Sequence, residues 1–273
     1  MLVTGVGVRG EAEPRLIRMA RSLAALGMRV VVPLLPGLRE LRFEQSDLAL
    51  ARECLRHIRQ TYKEPLAAVA VSTGGSIALT LSAEPEFVDA LPLILLFSPI
   101  CDPPATWQTV DQIARMPIAD LQAADDEIWI HMVNAYRHAE ILGFTPAEKQ
   151  AINEHLKRYM VDLTTAEKIA FYQNVIAARP MNGHASLDEA EALRAVSPMG
   201  KVSRSRARVL VIHDANDFVI PNDHILALKA ELDGRAVPDN RILITPALSH
   251  VTLKPAYFFD ILTMLDMTGE LFS

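Results

Sequence analysis

Ala67-Ala68-Val69-Ala70-Val71-Ser72-Thr73-Gly74-Gly75 is the stretch that decides the fold. Five small or branched apolar residues suit a strand buried on both faces. Ser72 and the small residues behind it suit a sharp turn into a helix. This is the layout of a nucleophile elbow, Gly-x-Ser-x-Gly, whose strained turn lifts the serine hydroxyl above the sheet edge. Gly74 fills the second glycine position, and Ala70 stands at the first.

Outward from this stretch, apolar runs alternate with helical patterns. Leu2–Thr4, Arg29–Val32 and Leu93–Phe97 read as further strands. Pro14–Leu26, Gln45–Thr61 and Gly75–Ala83 read as helices. Such alternation predicts parallel βαβ units. After Pro99 the rhythm changes. Helical periodicity runs through Val110–Ala123, Asp126–Leu142, Pro146–Val161, Thr165–Ala178 and Leu187–Ala195, with no strand between Cys101 and Val196. Thr145 ahead of Glu148, and Thr164 and Thr165 ahead of Glu167, read as capped helix starts. Strands then return at Arg208–His213 and Arg241–Thr245, with helices at Asn222–Leu232 and Pro255–Met267. The expectation is an α/β chain with a mostly parallel, doubly wound sheet of about six strands. Its core covers 1–100 and 198–273, and an all-helical cap fills 101–197.

A serine nucleophile needs a base and an acid that orients the base. The strand at Arg208–His213 runs into Asp214-Ala215-Asn216-Asp217. The strand at Arg241–Thr245 runs into a loop ending in Ser249-His250. Serine, aspartate and histidine thus follow three strand ends in that order. Asp217 is the favoured acid. Its rivals are Asp214, read as a residue that bonds its own turn, and Asp102 after the strand at Leu93–Phe97. The remaining histidines, at 57, 131, 138, 155, 184, 213 and 224, read as surface or packing residues.

With these segments in place, the chain resembles the α/β-hydrolase family, of the bacterial esterase or lysophospholipase-like kind. Leu2-Val3-Thr4-Gly5-Val6 resembles the strand that ends in His-Gly, with Thr4 in place of histidine. Gly27 to Gly37 resembles the segment after it, and Ser197-Pro198 through Pro221 the acid loop. The resemblance implies Ser72 as nucleophile, Asp217 as acid and His250 as general base. It implies the backbone N–H groups of Val6 and Thr73 as oxyanion donors. The chain departs from the family at Thr4 and at Val71, where histidines are common. The family's first two strands have no counterpart: the expectation is a sheet that has lost them, and the alternative is a truncated start of a longer native product.

Composition narrows the rest. At 273 residues the chain is about 1.8 domains of ordinary size. A charge of −6 without a Lys/Arg block argues against nucleic acid as a partner. Mean hydropathy is +0.17, but the longest apolar stretch, near Ala90–Cys101, is too short for a span of about 20 residues. No stable membrane insertion is expected, and the start lacks a secretory pattern. Cys54 and Cys101 form no redox or zinc motif, so a reduced, cytoplasmic protein without metal or cofactor is expected. Gly5-Val6-Gly7-Val8-Arg9-Gly10 matches a dinucleotide fingerprint on paper. Against it, the next strand ends in Val32-Pro33-Leu34 with no acid for a ribose, and Glu11 and Glu13 would repel a pyrophosphate.

The expected function is a serine hydrolase acting on carboxylic esters with a hydrophobic acyl or alcohol portion. The alternatives are acyl transfer, amide or C–C bond hydrolysis by the same triad, and a non-catalytic binding protein. Trp107, Trp129, Met132, Tyr136, Phe171 and Tyr172 are expected mainly in the core of the cap, with a subset roofing the site. Val30-Val31-Val32 would form an apolar sheet edge, so cover by a homodimer partner or another segment is expected. A monodisperse monomer with that edge open would contradict this.

Overall fold

A computed structural model describes residues 1–159, 161–177, 187–237, 239–250, 252–254 and 256–272. His184 lies outside the described residues. Five strands form one parallel sheet in chain order: β1 (Leu2–Val3), β2 (Ala67–Val71), β3 (Leu93–Phe97), β4 (Arg208–Asp214) and β5 (Arg241–Thr245). Side chains alternate across the pleat. Ala68, Ala70, Ile94, Leu96, Val209 and Val211 pack on one face. Val69, Leu95, Leu210 and Ile212 pack on the other.

Helices cover both faces, as a parallel sheet requires. On the first face lie α3 (Gln45–Thr61), α4 (Thr73–Ser82) and α10 (Asn222–Asp233), through Leu55, Ile77 and Leu228. They follow a four-residue helix, α2 (Pro36–Arg39). On the second face lie α1 (Pro14–Ala25) and α11 (Phe258–Gly269), through Leu16, Met264 and Met267. Among the described residues, no helix is long and apolar enough to cross a membrane.

The expected strand at Arg29–Val32 does not form. Among the described residues its one ladder bond is the Leu2 N–H donated to Val31 O at 2.9 Å. β1 offers only two residues to pair with, and Pro33 has no N–H to extend a ladder. The sheet therefore has five strands rather than six. Val30, Val31 and Val32 are half-buried; Val30 and Val31 wall an open groove with Leu2, Leu26 and Phe272, and Val32 walls another with Leu16 and Ile17. A short hairpin, β6 (Leu248–Ser249) with β7 (Thr252–Leu253), was not expected from the sequence.

Between β3 and β4 the described elements are helical: α5 (Pro103–Arg115), α6 (Asp125–Arg137), α7 (Pro146–Tyr159), α8 (Thr165–Phe171), a π-helical turn (Tyr172–Ile176), α9 (Leu187–Val196) and a short turn at Val202–Arg204. α5 starts seven residues before the expected Val110. Asp102 caps it by accepting from Ala105 N at 3.2 Å, and Pro103 and Pro104 suit a first turn that needs no N–H. Asp102 is thereby committed to a helix end. The capped starts expected at Thr145 and Thr164 form, with Glu148 and Glu167 bonding back to the backbone N–H groups of those threonines. Trp107, Met132, Tyr136 and Tyr172 are buried in a cluster continuous with the first sheet face. The insertion thus packs onto the core.

Candidate active site

Ser72 sits between β2 and α4 at φ 52° and ψ −123°. A non-glycine residue there is strained by roughly 1–3 kcal/mol. The neighbours impose the turn. Ser72 N–H donates to Phe97 O at 2.9 Å, and its carbonyl accepts from Gly75 N and Ile100 N at 2.9 and 3.0 Å. Gly74 allows it, because a Cβ there would lie 2.5 Å from Thr4 O and 2.6 Å from Val3 O. Gly5 is needed in the same way, since its Cβ would lie 2.8 Å from that of Ser72. Gly5 of the glycine-rich run is thus packed against the elbow. Only a three-residue 3-10 turn, Gly10–Ala12, opens on the run's last glycine, and α1 begins at Pro14, whereas a dinucleotide fold sets a full helix there.

Asp217 and His250 come together. His250 Nδ1 lies 2.6 Å from Asp217 Oδ2, and the carboxylate is 1% exposed against 28% for the imidazole. Oδ1 of Asp217 accepts from Val219 N and Ile220 N at 3.1 and 2.9 Å, so the acid is fixed by its own loop. Beneath it, His213 is buried with Nε2 3.0 Å from Ile220 O, a packing role.

Asp214 reaches further than its own turn. Its Oδ1 accepts from Asn216 N at 3.0 Å, while its Oδ2 accepts from His250 N at 2.8 Å. Ser98, which the sequence reading did not single out, donates from Oγ to His250 O at 2.6 Å. His250 has φ 50° and Ser98 φ 38°. The histidine backbone is therefore clamped at both its N–H and its carbonyl in a conformation it would not hold alone.

Ser72 and His250 line one cavity of about 170 Å³ with Thr4, Val6, Trp129 and Leu156. Of the aromatic residues expected in the cap, Trp129 reaches this cavity. No hydrogen bond joins Ser72 Oγ to His250 among the described residues. Thr73 begins α4, where an N–H finds no partner within the helix. Val6 N–H donates to Thr73 Oγ1 at 2.6 Å.

Electrostatics follow from this geometry. Burial disfavours the His250 imidazolium, but the hydrogen bond and charge of Asp217, with the charges of Asp126 and Asp214, outweigh it and raise the pKa above the ordinary histidine value. Asp126, on α6, is a second residue that sequence reading missed. For Asp217, burial pushes the carboxyl up, yet His250 and the Ile220 N–H hold it below its usual range. A histidine acting as general base works when neutral, so if His250 takes that role the acidic limb of kcat/KM has its midpoint above about 6.5. A measured midpoint below about 6 would contradict the arrangement.

No protein-family model matches the chain, and no curated protein matches its sequence. Solved structures do match in shape. DcsB, solved with a substrate analogue, superposes with a TM-score of 0.54 at 14% identity, over 98% of this chain and 90% of that one. A meta-cleavage product hydrolase from Pseudomonas fluorescens gives 0.52 at 13% identity, over 99% and 90%. A monoacylglycerol lipase from Paleococcus ferrophilus gives 0.50 at 15% identity, over 97% and 92%. At such identities the likeness is one of fold.

Proposed function

The chain has the α/β-hydrolase fold, and on that premise we propose that it is a serine hydrolase cleaving carboxylic esters. The observation that carries this reading is the 2.6 Å Asp217–His250 contact in a cavity shared with Ser72. His250 Nε2 takes the hydroxyl proton as Ser72 Oγ attacks the ester carbonyl. The resulting imidazolium gives that proton to the departing alcohol, and the acyl group stays on Ser72. Water, deprotonated by His250, then attacks the acyl carbonyl. The carboxylic acid leaves, and Ser72 recovers its proton. Asp217 accepts from Nδ1–H and so holds Nε2 free to act as base. Thr73 N–H supports the oxyanion, joined by Val6 N–H once that group leaves Thr73 Oγ1. Val6, Trp129 and Leu156 along the cavity support a hydrophobic acyl or alcohol portion.

A fluorophosphonate probe should add its mass once per chain, and peptide mapping should find it on Ser72. Labelling elsewhere, or none, would sink the assignment. The same triad serves acyl transfer and amide or C–C bond hydrolysis, which product analysis separates. A non-catalytic binding protein is the second reading. It is favoured by the Val6 N–H being occupied by Thr73, and an unlabelled protein would support it.

A further inference from the structure

The cavity at Ser72 is not uniformly apolar. Arg9, Arg15 and Lys157 line it, with Glu13 as the acid among them. Arg9 stands three residues beyond Val6, and Lys157 lies on α7. Arg9 Nε donates to Lys157 O at 2.5 Å, so the guanidinium bridges from the core loop to the insertion at the cavity. The carboxylate paired with it, Asp162, is 3.8 Å away, within ion-pair range but too far for a hydrogen bond. A guanidinium presents five N–H donors in a planar fork. The donors of Arg9 other than Nε have no hydrogen-bond acceptor among the described residues, although the side chain is only 29% exposed. The neighbouring cations differ: Arg15 is bonded to Glu13 at 2.9 Å and Lys157 to Glu154 at 2.8 Å.

We propose that Arg9 binds a carboxylate carried by the substrate, so that the preferred ester is a short one with an anionic end. The inference rests on the serine-hydrolase reading and adds the substrate class. A planar fork with open donors matches a carboxylate in two parallel hydrogen bonds. Three residues of chain span at most about 11 Å, so Arg9 stays close to the loop that faces the scissile carbonyl. The cavity, about 170 Å³, is smaller than the roughly 300–1,000 Å³ of sites for drug-sized ligands. A reacting acyl carbon, a few methylenes and a carboxylate fit that space. Val6, Leu16 and Trp129, which line the same cavity, would flank the methylenes, with Arg9 on the carboxylate. Monoesters of short dicarboxylic acids have this form. The bland role for Arg9 is a strap tying α7 to the core, which would make no distinction between charged and neutral esters.

The test compares kcat/KM for the p-nitrophenyl monoester of glutaric acid with that for p-nitrophenyl valerate, a neutral ester of similar length. The native protein should prefer the glutarate ester by about tenfold or more, and Arg9→Gln should lose about tenfold of that ratio. No preference in the native protein would overturn the proposal. So would a preference that survives in Arg9→Gln. Circular dichroism reports whether this variant folds; if it does not, Arg9→Lys is read instead. That variant keeps the charge without the fork, so its ratio should fall severalfold below the native one, and an undiminished ratio would overturn the proposal. A native protein that fails to label with fluorophosphonate would overturn the serine reading itself. A labelled protein without preference removes only the role of Arg9.

Discussion

Ser72→Ala should lower kcat for p-nitrophenyl butyrate by about a millionfold, the scale on which other Ser-His-Asp enzymes fail when the nucleophile is removed. The size follows from the mechanism. Without Oγ there is no acyl-enzyme, and the remaining groups can only assist direct attack by water. The fold should tolerate the change, because Ser72 Oγ makes no hydrogen bond among the described residues and alanine keeps the Cβ against which Gly5 packs. KM should move little, since the cavity walls are unchanged. A variant that keeps more than a hundredth of the native rate would remove Ser72 from the chemistry.

The second large effect is expected at Asp217. Asp217→Asn keeps the shape and can still bond to His250, but it removes the charge. Its side-chain amide, turned toward Nδ1, favours the tautomer whose proton sits on Nε2, where the base must be bare. Loss of about 10⁴ in kcat accompanies such a change in the serine triad. A second readout separates this from simple damage. Asp217 is among the groups that hold the His250 pKa up, so the acidic limb of the pH profile should move to lower pH in the variant. A small loss of rate with an unmoved limb would pass the role of acid to Asp214 or another group.

The elbow and the sheet around it were legible because their signals are local. β2, β3 and β5 match the expected ranges, since continuous apolar runs bounded by turns need no knowledge of the partner strand. Arg29–Val32 misled for the opposite reason. Its side chains are as strand-like as those of β2, but a strand also requires a neighbour to bond along its length, and β1 supplies one bond. α5 begins before the expected Val110 because Pro103 and Pro104, outside any apolar periodicity, suit a first turn that needs no N–H. At the candidate site, Ser72, Asp217 and His250 each close a strand-loop pattern. Ser98 does not. Its significance is one hydrogen bond to the backbone of His250, a residue distant in sequence. The Val6–Thr73 bond depends on a rotamer, which no pattern of residue types records.

The backward-bent backbone at Ser72 has a consequence for endurance under heat. Glycine would accept φ 52° and ψ −123° without strain. Setting the relieved strain of roughly 1–3 kcal/mol against a glycine penalty of about 1 leaves a net gain of up to about 2 kcal/mol. In a domain of this size that is worth several degrees of melting temperature, at roughly 2–4 °C for each kcal/mol. On the serine-hydrolase reading, the residue best suited to heat at position 72 is one that cannot attack an ester, so durability and turnover would pull against each other there.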